Sequence, residues 1–214
     1  MFSQFLVYIV QGTLITVAVT LVALPIGMVL GLLFALLNLY GGRWLGRAMS
    51  VYSTVMRGIP PITLLFLLYF IVAGAVNLSA FWAGSIALAV ISSAYQQEIF
   101  RGSLLAVGSG QMMAARALGM SRSKAILHIV LPQALRLAIP PWSNEASIVL
   151  KDSSLVYALG VEEILRRSQQ YSAVAQQPFL AYGAAALIYF VLVFSVNRLL
   201  DRLEQATRIP VHAH

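Results

Sequence analysis

The chain has 214 residues, of which 60% are hydrophobic and only 10% charged, and its mean hydropathy is +0.85; a soluble domain with a polar surface is excluded by that composition. Cysteine is absent, which removes a disulfide framework and a cysteine metal site. The net charge of +7 invites a nucleic-acid reading, but the basic residues lie mostly between apolar runs, where they orient a membrane protein.

The first apolar run covers residues 5–39, well beyond the about 20 residues that a helix needs to cross a hydrocarbon core. No charge precedes Arg43 and the run is too long for a signal peptide, so it is expected to remain in the mature protein. It should tilt strongly, break near Pro25 and Gly27, or begin as an interfacial segment. Four further runs follow at 48–73, 81–105, 135–157 and 179–200. The expected fold is therefore all-α: a polytopic membrane protein with about five transmembrane helices, forming one domain over residues 1–214. Trp44, Trp82 and Trp142 fall near the expected span ends, as an aromatic belt would.

Arg43 and Arg47 lie in one connection, Arg116, Arg122 and Lys124 in the long central one, and Arg202 and Arg208 in the tail. With five spans these share a side, which the positive-inside rule makes the cytoplasm, with the N-terminus outside and the C-terminus inside. On the other side Arg166 and Arg167 are offset by Glu162 and Glu163. The tail residues His212 and His214 read as solvated rather than metal-binding.

Each ionisable group at membrane depth costs about 3 kcal/mol on insertion scales, so those present need a reason. Glu98 has Arg101 three residues on, which fits an internal ion pair as well as a place on a solute route. Asn144 and Glu145 follow Pro140-Pro141, and Asp152 lies seven residues further, on the same face if the helix is continuous. Ser147 and Ser154 extend this into a polar stripe, while Lys151 with Asp152 also suits an anchor near the outer interface. Gly27, Gly31, Gly183, Ala184 and Ala185 allow close helix contacts, either within one chain or between two.

The central connection, about 108–132, reads as two short helices. The first, 111–118, places Ala114, Ala115 and Leu118 on a low-relief face; Gly119 suits its C-terminus. Ser121 caps the second, 122–130, which is expected to stop before Pro132. The result is a helix-turn-helix offered to the cytosol. A helix merely lying on the membrane would want a stronger apolar face opposite its basic one than Ile126 and Ile129 supply beside Arg122, Lys124 and His128.

Ala114-Ala115, Gly119 and, after nine residues, Ile129-Val130-Leu131-Pro132 resemble the EAA loop of binding-protein-dependent ABC import permeases. Glu98-Ile99-Phe100-Arg101-Gly102, Leu131-Pro132-Gln133-Ala134-Leu135-Arg136, Lys151-Asp152-Ser153-Ser154-Leu155 and Arg57-Gly58-Ile59-Pro60 resemble the polar amino-acid permease branch of that family. The resemblance covers most of the chain; Met113 stands where the family usually has the motif's glutamate.

The resemblance implies a multi-pass permease domain in a prokaryotic plasma (inner) membrane. It further implies a coupling helix seated in an ATPase subunit, with Ala114, Ala115, Leu118, Gly119, Ile129, Leu131 and Pro132 receiving its stroke. A homologous or identical permease subunit and an extracytoplasmic amino-acid-binding protein complete the implied assembly. On that reading Glu98, Asn144, Glu145, Ser147, Asp152 and Ser154 line the route, carboxylates and hydroxyls facing an amino acid's ammonium. Gly119 to Lys124 lacks the second glycine and the spacing of a phosphate loop, so ATP and Mg are expected on a partner ATPase, not on this chain. His128 is the one internal histidine, and neither H-E-x-x-H nor G-x-S-x-G occurs, which argues against an intramembrane enzyme, with no catalytic or metal residue to name. A channel or secondary transporter shares the polar stripe but has no use for the central helix-turn-helix.

Overall fold

Unbroken apolar sequence dominates the first quarter of the chain and sets its longest element. The computed structural model describes residues 2–75 and 77–207, with side chains over 5–71 and 77–206; Arg208, His212 and His214 lie outside. Helix α1 spans Phe2–Tyr40 with Pro25 inside it. The expected break near Pro25 and Gly27 does not occur, because α4 splints the helix there: a Cβ at Gly27 would lie 2.7 Å from Gln96 Nε2, and one at Gly31 2.9 Å from the backbone nitrogen of Gln97. Helix against helix at this distance holds the turns on the C-terminal side of the proline. Both glycines thus serve packing within the chain.

The break falls instead in the second apolar run. Helix α2, Arg43–Gly58, ends where Ile59 turns extended ahead of Pro60 (φ −107°, ψ 139°), as a residue before proline prefers. Helix α3, Pro61–Ala75, leaves at 114° to α2. Arg43 and Arg47, expected in a connection, occupy the first turns of α2.

Helix α4, Ala80–Ala106, runs through the middle of the molecule against α1, α2, α3 and α7. A hairpin follows: α5 at Ser109–Ala117, then α6 at Arg122–Ala125. A π-helical turn over Ile126–Val130 leads straight into α7, Leu131–Asp152. The expected stop before Pro132 is overridden. Proline has no N–H and its ring collides with the carbonyl four residues back in a regular α-helix; widening the turn, with Leu131 N–H reaching Ile126 O, makes room for it. The fourth run therefore starts earlier than 135, continues through Pro140-Pro141, and passes after Asp152 into a 3₁₀ segment, Ser153–Leu159. Helix α8, Ile164–Ala175, and the long α9, Pro178–Thr207, complete the chain.

Among the described residues the fold is all-helical. Helices α1 and α9 are long and apolar enough to cross a membrane, and α2 with α3, bent by 114°, adds a third if the pair is one broken span. Helices α4 and α7 have the length, 27 and 22 residues, but carry polar side chains into the interior, which lowers their hydropathy. Three apolar clusters hold the bundle: Val19, Leu65, Leu88 and Val156 in the middle, Ala35, Leu104 and Val130 at the hairpin end, and Ile9, Ile164 and Ala185 at the opposite end.

Candidate functional site

The hairpin is made rigid by its two turns. Gly119 adopts φ +81°, and its N–H bonds Arg116 O at 3.0 Å while Met120 N–H reaches Ala115 O at 3.1 Å; these two bonds close α5 as a Schellman motif. Ser121 then caps α6, accepting from Lys124 N–H at 3.4 Å. Leu118 is 85% exposed and Met113 64%, and Ala114 and Ala117 share their outward side. Ala115 does not: it is 4% exposed, because α5 must bury one side against the π turn, so the low-relief face consists of Ala114, Leu118 and Gly119. Ile129 and Leu131 are half-buried beneath, and Pro132 is exposed at the start of α7. The Arg122 guanidinium lies over the Tyr40 ring at 5.6 Å, tying the hairpin to the end of α1. Helix α6, the π turn and α7 follow one another without a break, which joins the hairpin directly to α7.

Along the interior of α7 the expected polar stripe divides in two. Glu145, 4% exposed, turns toward α4 and accepts from Ser92 Oγ at 2.8 Å. Ser92 accepts from Gln96 Nε2 at 3.0 Å, and Gln96 Oε1 accepts from Trp142 Nε1 at 2.8 Å. Trp142 therefore sits in the interior of α7 and not at a span end. Asp152 shares the Glu145 face at the last residue of α7, half-buried, beside an exposed Lys151; Ser154 is half-buried in the 3₁₀ segment. Residues two apart on a helix point away from each other, so Ser147 belongs to the other side, where it donates to Asn197 Oδ1 of α9. Asn144, Ser147, Asn197, Asp201 and Glu204 line a cavity of about 290 Å³ between α7 and α9.

Glu98 receives Arg101 through Nε at 2.9 Å and Nη2 at 2.7 Å, and Ser53 Oγ at 3.0 Å; the internal ion pair is formed within α4, and the Ser53 bond ties α2 to α4. At the opposite end Glu163 is wholly buried instead of offsetting an arginine. It caps α8 by accepting from Leu165 N–H at 2.8 Å and Arg166 N–H at 2.6 Å, and takes the Tyr189 hydroxyl at 2.6 Å. Burial pushes its carboxyl above the usual range, against the pull of these donors. Glu162 is the residue that pairs with Arg167, at 3.5 Å.

Sequence reasoning missed Ser92, Gln96 and Gln97. Their signal was present: polar residues at i, i+4 and i+5 inside an apolar run, the mark of a helix with a wet or hydrogen-bonded inner face.

A family model described as "Binding-protein-dependent transport system inner membrane component" matches residues 23–209. The arginine ABC transporter permease protein ArtQ of Haemophilus influenzae is 34% identical over 200 residues, covering 90% of this chain and 90% of that protein. The octopine transport system permease protein OccQ of Rhizobium radiobacter is 36% identical over 197 residues, 86% of this chain and 83% of that one. The glutamine transport system permease protein GlnP of Escherichia coli is 31% identical over 204 residues, 94% and 93%. Among solved structures, a chain of the crystal structure of an amino acid ABC transporter with histidines superposes with a TM-score of 0.86 at 33% identity, covering 96% of each chain. A chain of the MetNI methionine ABC transporter, at 22% identity and a TM-score of 0.82, shares the fold.

Proposed function

Because the chain belongs to the family of inner-membrane components of binding-protein-dependent transport systems, we propose that it is the membrane-spanning subunit of an ATP-driven importer for polar amino acids or close analogues. It pairs with itself or with a homologous permease subunit, and takes its solute from an extracytoplasmic binding protein. ATP and Mg are bound by separate ATPase subunits, which dock at the hairpin end; this chain performs no bond chemistry. Arg43, Arg47, Arg122 and Lys124 gather at that end with the α1 terminus, which supports a prokaryotic inner-membrane protein with its N-terminus outside and its C-terminus in the cytoplasm. The relatives' names, which specify arginine, octopine and glutamine, support the solute class.

The observation that carries this reading is the hairpin: an exposed apolar tip, braced by two capped turns, joined without interruption to the helix that holds Glu145. Ala114, Leu118 and Gly119 meet the ATPase, while Ala115, Ile129, Leu131 and Pro132 transmit its movement. Glu145 and Asp152, with Ser154 beyond, face the ammonium of the solute; Asn144 and Ser147 form a second polar wall toward α9. Glu98, locked to Arg101, borders the route as a strut.

Affinity purification of the tagged chain from native membranes, followed by mass spectrometry and an ATPase assay with amino acids and binding protein, tests this. Co-purification of an ATPase whose turnover rises with one amino acid supports the importer and names its solute. Recovery of the chain alone, with no nucleotide dependence of solute flux, favours a channel or secondary transporter.

A further inference from the structure

We propose that the corner between α1 and α2 binds a single phospholipid with an anionic headgroup, taken from the leaflet at the hairpin end. Two cavities adjoin there. One, an open cleft of about 570 Å³, has mixed walls that include the polar side chains of Asn38, Arg43, Arg47 and Ser50 beside Leu39 and Val51. The other, of about 610 Å³, is apolar, with Trp44, Val51, Tyr52, Val55 and Met56 in its walls. Arg47 and Val51 line both, so the two form one site with a charged end and a greasy end.

The polar end is built to receive an anion. Arg43 and Arg47 make no ion pair or hydrogen bond among the described residues; Arg47 lies over the Trp44 ring at 6.0 Å. Asn38 Nδ2 donates to Gly46 O and to Ser50 Oγ, both at 2.9 Å, which fixes the floor. Gly42, at φ +91° and with nothing within 4 Å of where a Cβ would stand, keeps the corner free of side-chain bulk.

The apolar end is exposed: Trp44 is 79% accessible, Val51 61% and Val55 50%. An exposed tryptophan beside arginine at the end of a membrane-crossing helix is the composition of the headgroup boundary. That places the arginine-lined cleft at phosphate depth and the groove along α2 at acyl depth. A phospholipid is the ligand that joins both chemistries in one molecule at such a boundary. A free phosphate leaves the groove empty, and a zwitterionic lipid leaves two guanidiniums without a net negative partner.

The test uses the full complex as it purifies in detergent, stripped of lipid, with native mass spectrometry during titration of phosphatidylglycerol, phosphatidylcholine of the same chains, or glycerol phosphate. Phosphatidylglycerol should bind in preference to both others. Arg43→Gln with Arg47→Gln should weaken it about twenty-five-fold, at about fivefold for each basic residue at the headgroup. The double lysine variant should retain binding, which separates charge from misfolding, and Val55→Trp should weaken binding with both arginines in place. Equal retention of phosphatidylcholine, glycerol phosphate binding as tight as the lipid, or unchanged phosphatidylglycerol affinity in the double glutamine variant overturns the proposal. So does a groove occupied by a protein subunit that leaves no lipid bound.

Discussion

Glu145 owes its position to a single hydroxyl, that of Ser92, which Gln96 holds in turn. Glu145 is 4% exposed, so Ser92→Ala leaves a buried carboxyl short of its donor, at a cost of about 1–3 kcal/mol. Thermal unfolding of the purified chain in detergent should shift down accordingly, and solute uptake should show a raised KM, since the carboxyl is then free to turn. An unchanged melting curve and KM would remove the network from the site. Gly12 makes a second residue-scale case. A Cβ there would stand 2.7 Å from Ile164 N and 2.8 Å from the Glu163 carbonyl carbon, so Gly12→Ala must push α8 away from α1. Overpacking of this kind costs about 1–3 kcal/mol, and hydrogen exchange at the first turn of α8, where Glu163 holds two amides, should accelerate while the hairpin amides stay protected.

At the scale of elements the hairpin and α7 work as one lever. Gly119→Val forces a β-branched side chain into φ +81°, a strain of about 1–3 kcal/mol that the Schellman turn can relieve only by opening. The space beyond the Cβ is clear, so the effect is conformational rather than a clash. The expected outcome is ATP hydrolysis that continues in vesicles while solute uptake falls, with the spans still inserted; normal coupling in this variant would remove the lever. Such local features were legible in the sequence, because capping residues and glycine act within a few positions: Gly119 and Ser121 stand where expected, as does the Glu98–Arg101 pair. Features set by distant partners were not. Pro25 looked like a breaker because the splint of Gln96 and Gln97 comes from 70 residues away. Pro132 looked like a stop because a π turn leaves no signature in composition. Ala115 and Trp142 were assigned to a surface and a belt, since spacing alone does not say which face of a helix another helix covers.

For the whole molecule, the hairpin end and the α8 end are separated by the length of α1, whose Tyr40 meets Arg122 and whose Tyr8 meets Arg167 and Gln170. The importer reading needs these two ends on opposite faces of the membrane, the first with the ATPase and the second with the binding protein. The chain has no cysteine, so a single introduced thiol reports its side without background. Ser123→Cys, exposed in the hairpin, and Gln176→Cys, exposed at the end of α8, disturb no buried contact. In intact cells a membrane-impermeant maleimide should label position 176 and leave 123 untouched; in inside-out vesicles the pattern should reverse. Docking of the ATPase adds a second readout, because an occupied hairpin should shield position 123 in vesicles until the ATPase is stripped. Labelling of both thiols from one side would mean that α7, the one long helix between the two positions, fails to cross, and the import path through Glu145 would have no second face to open onto.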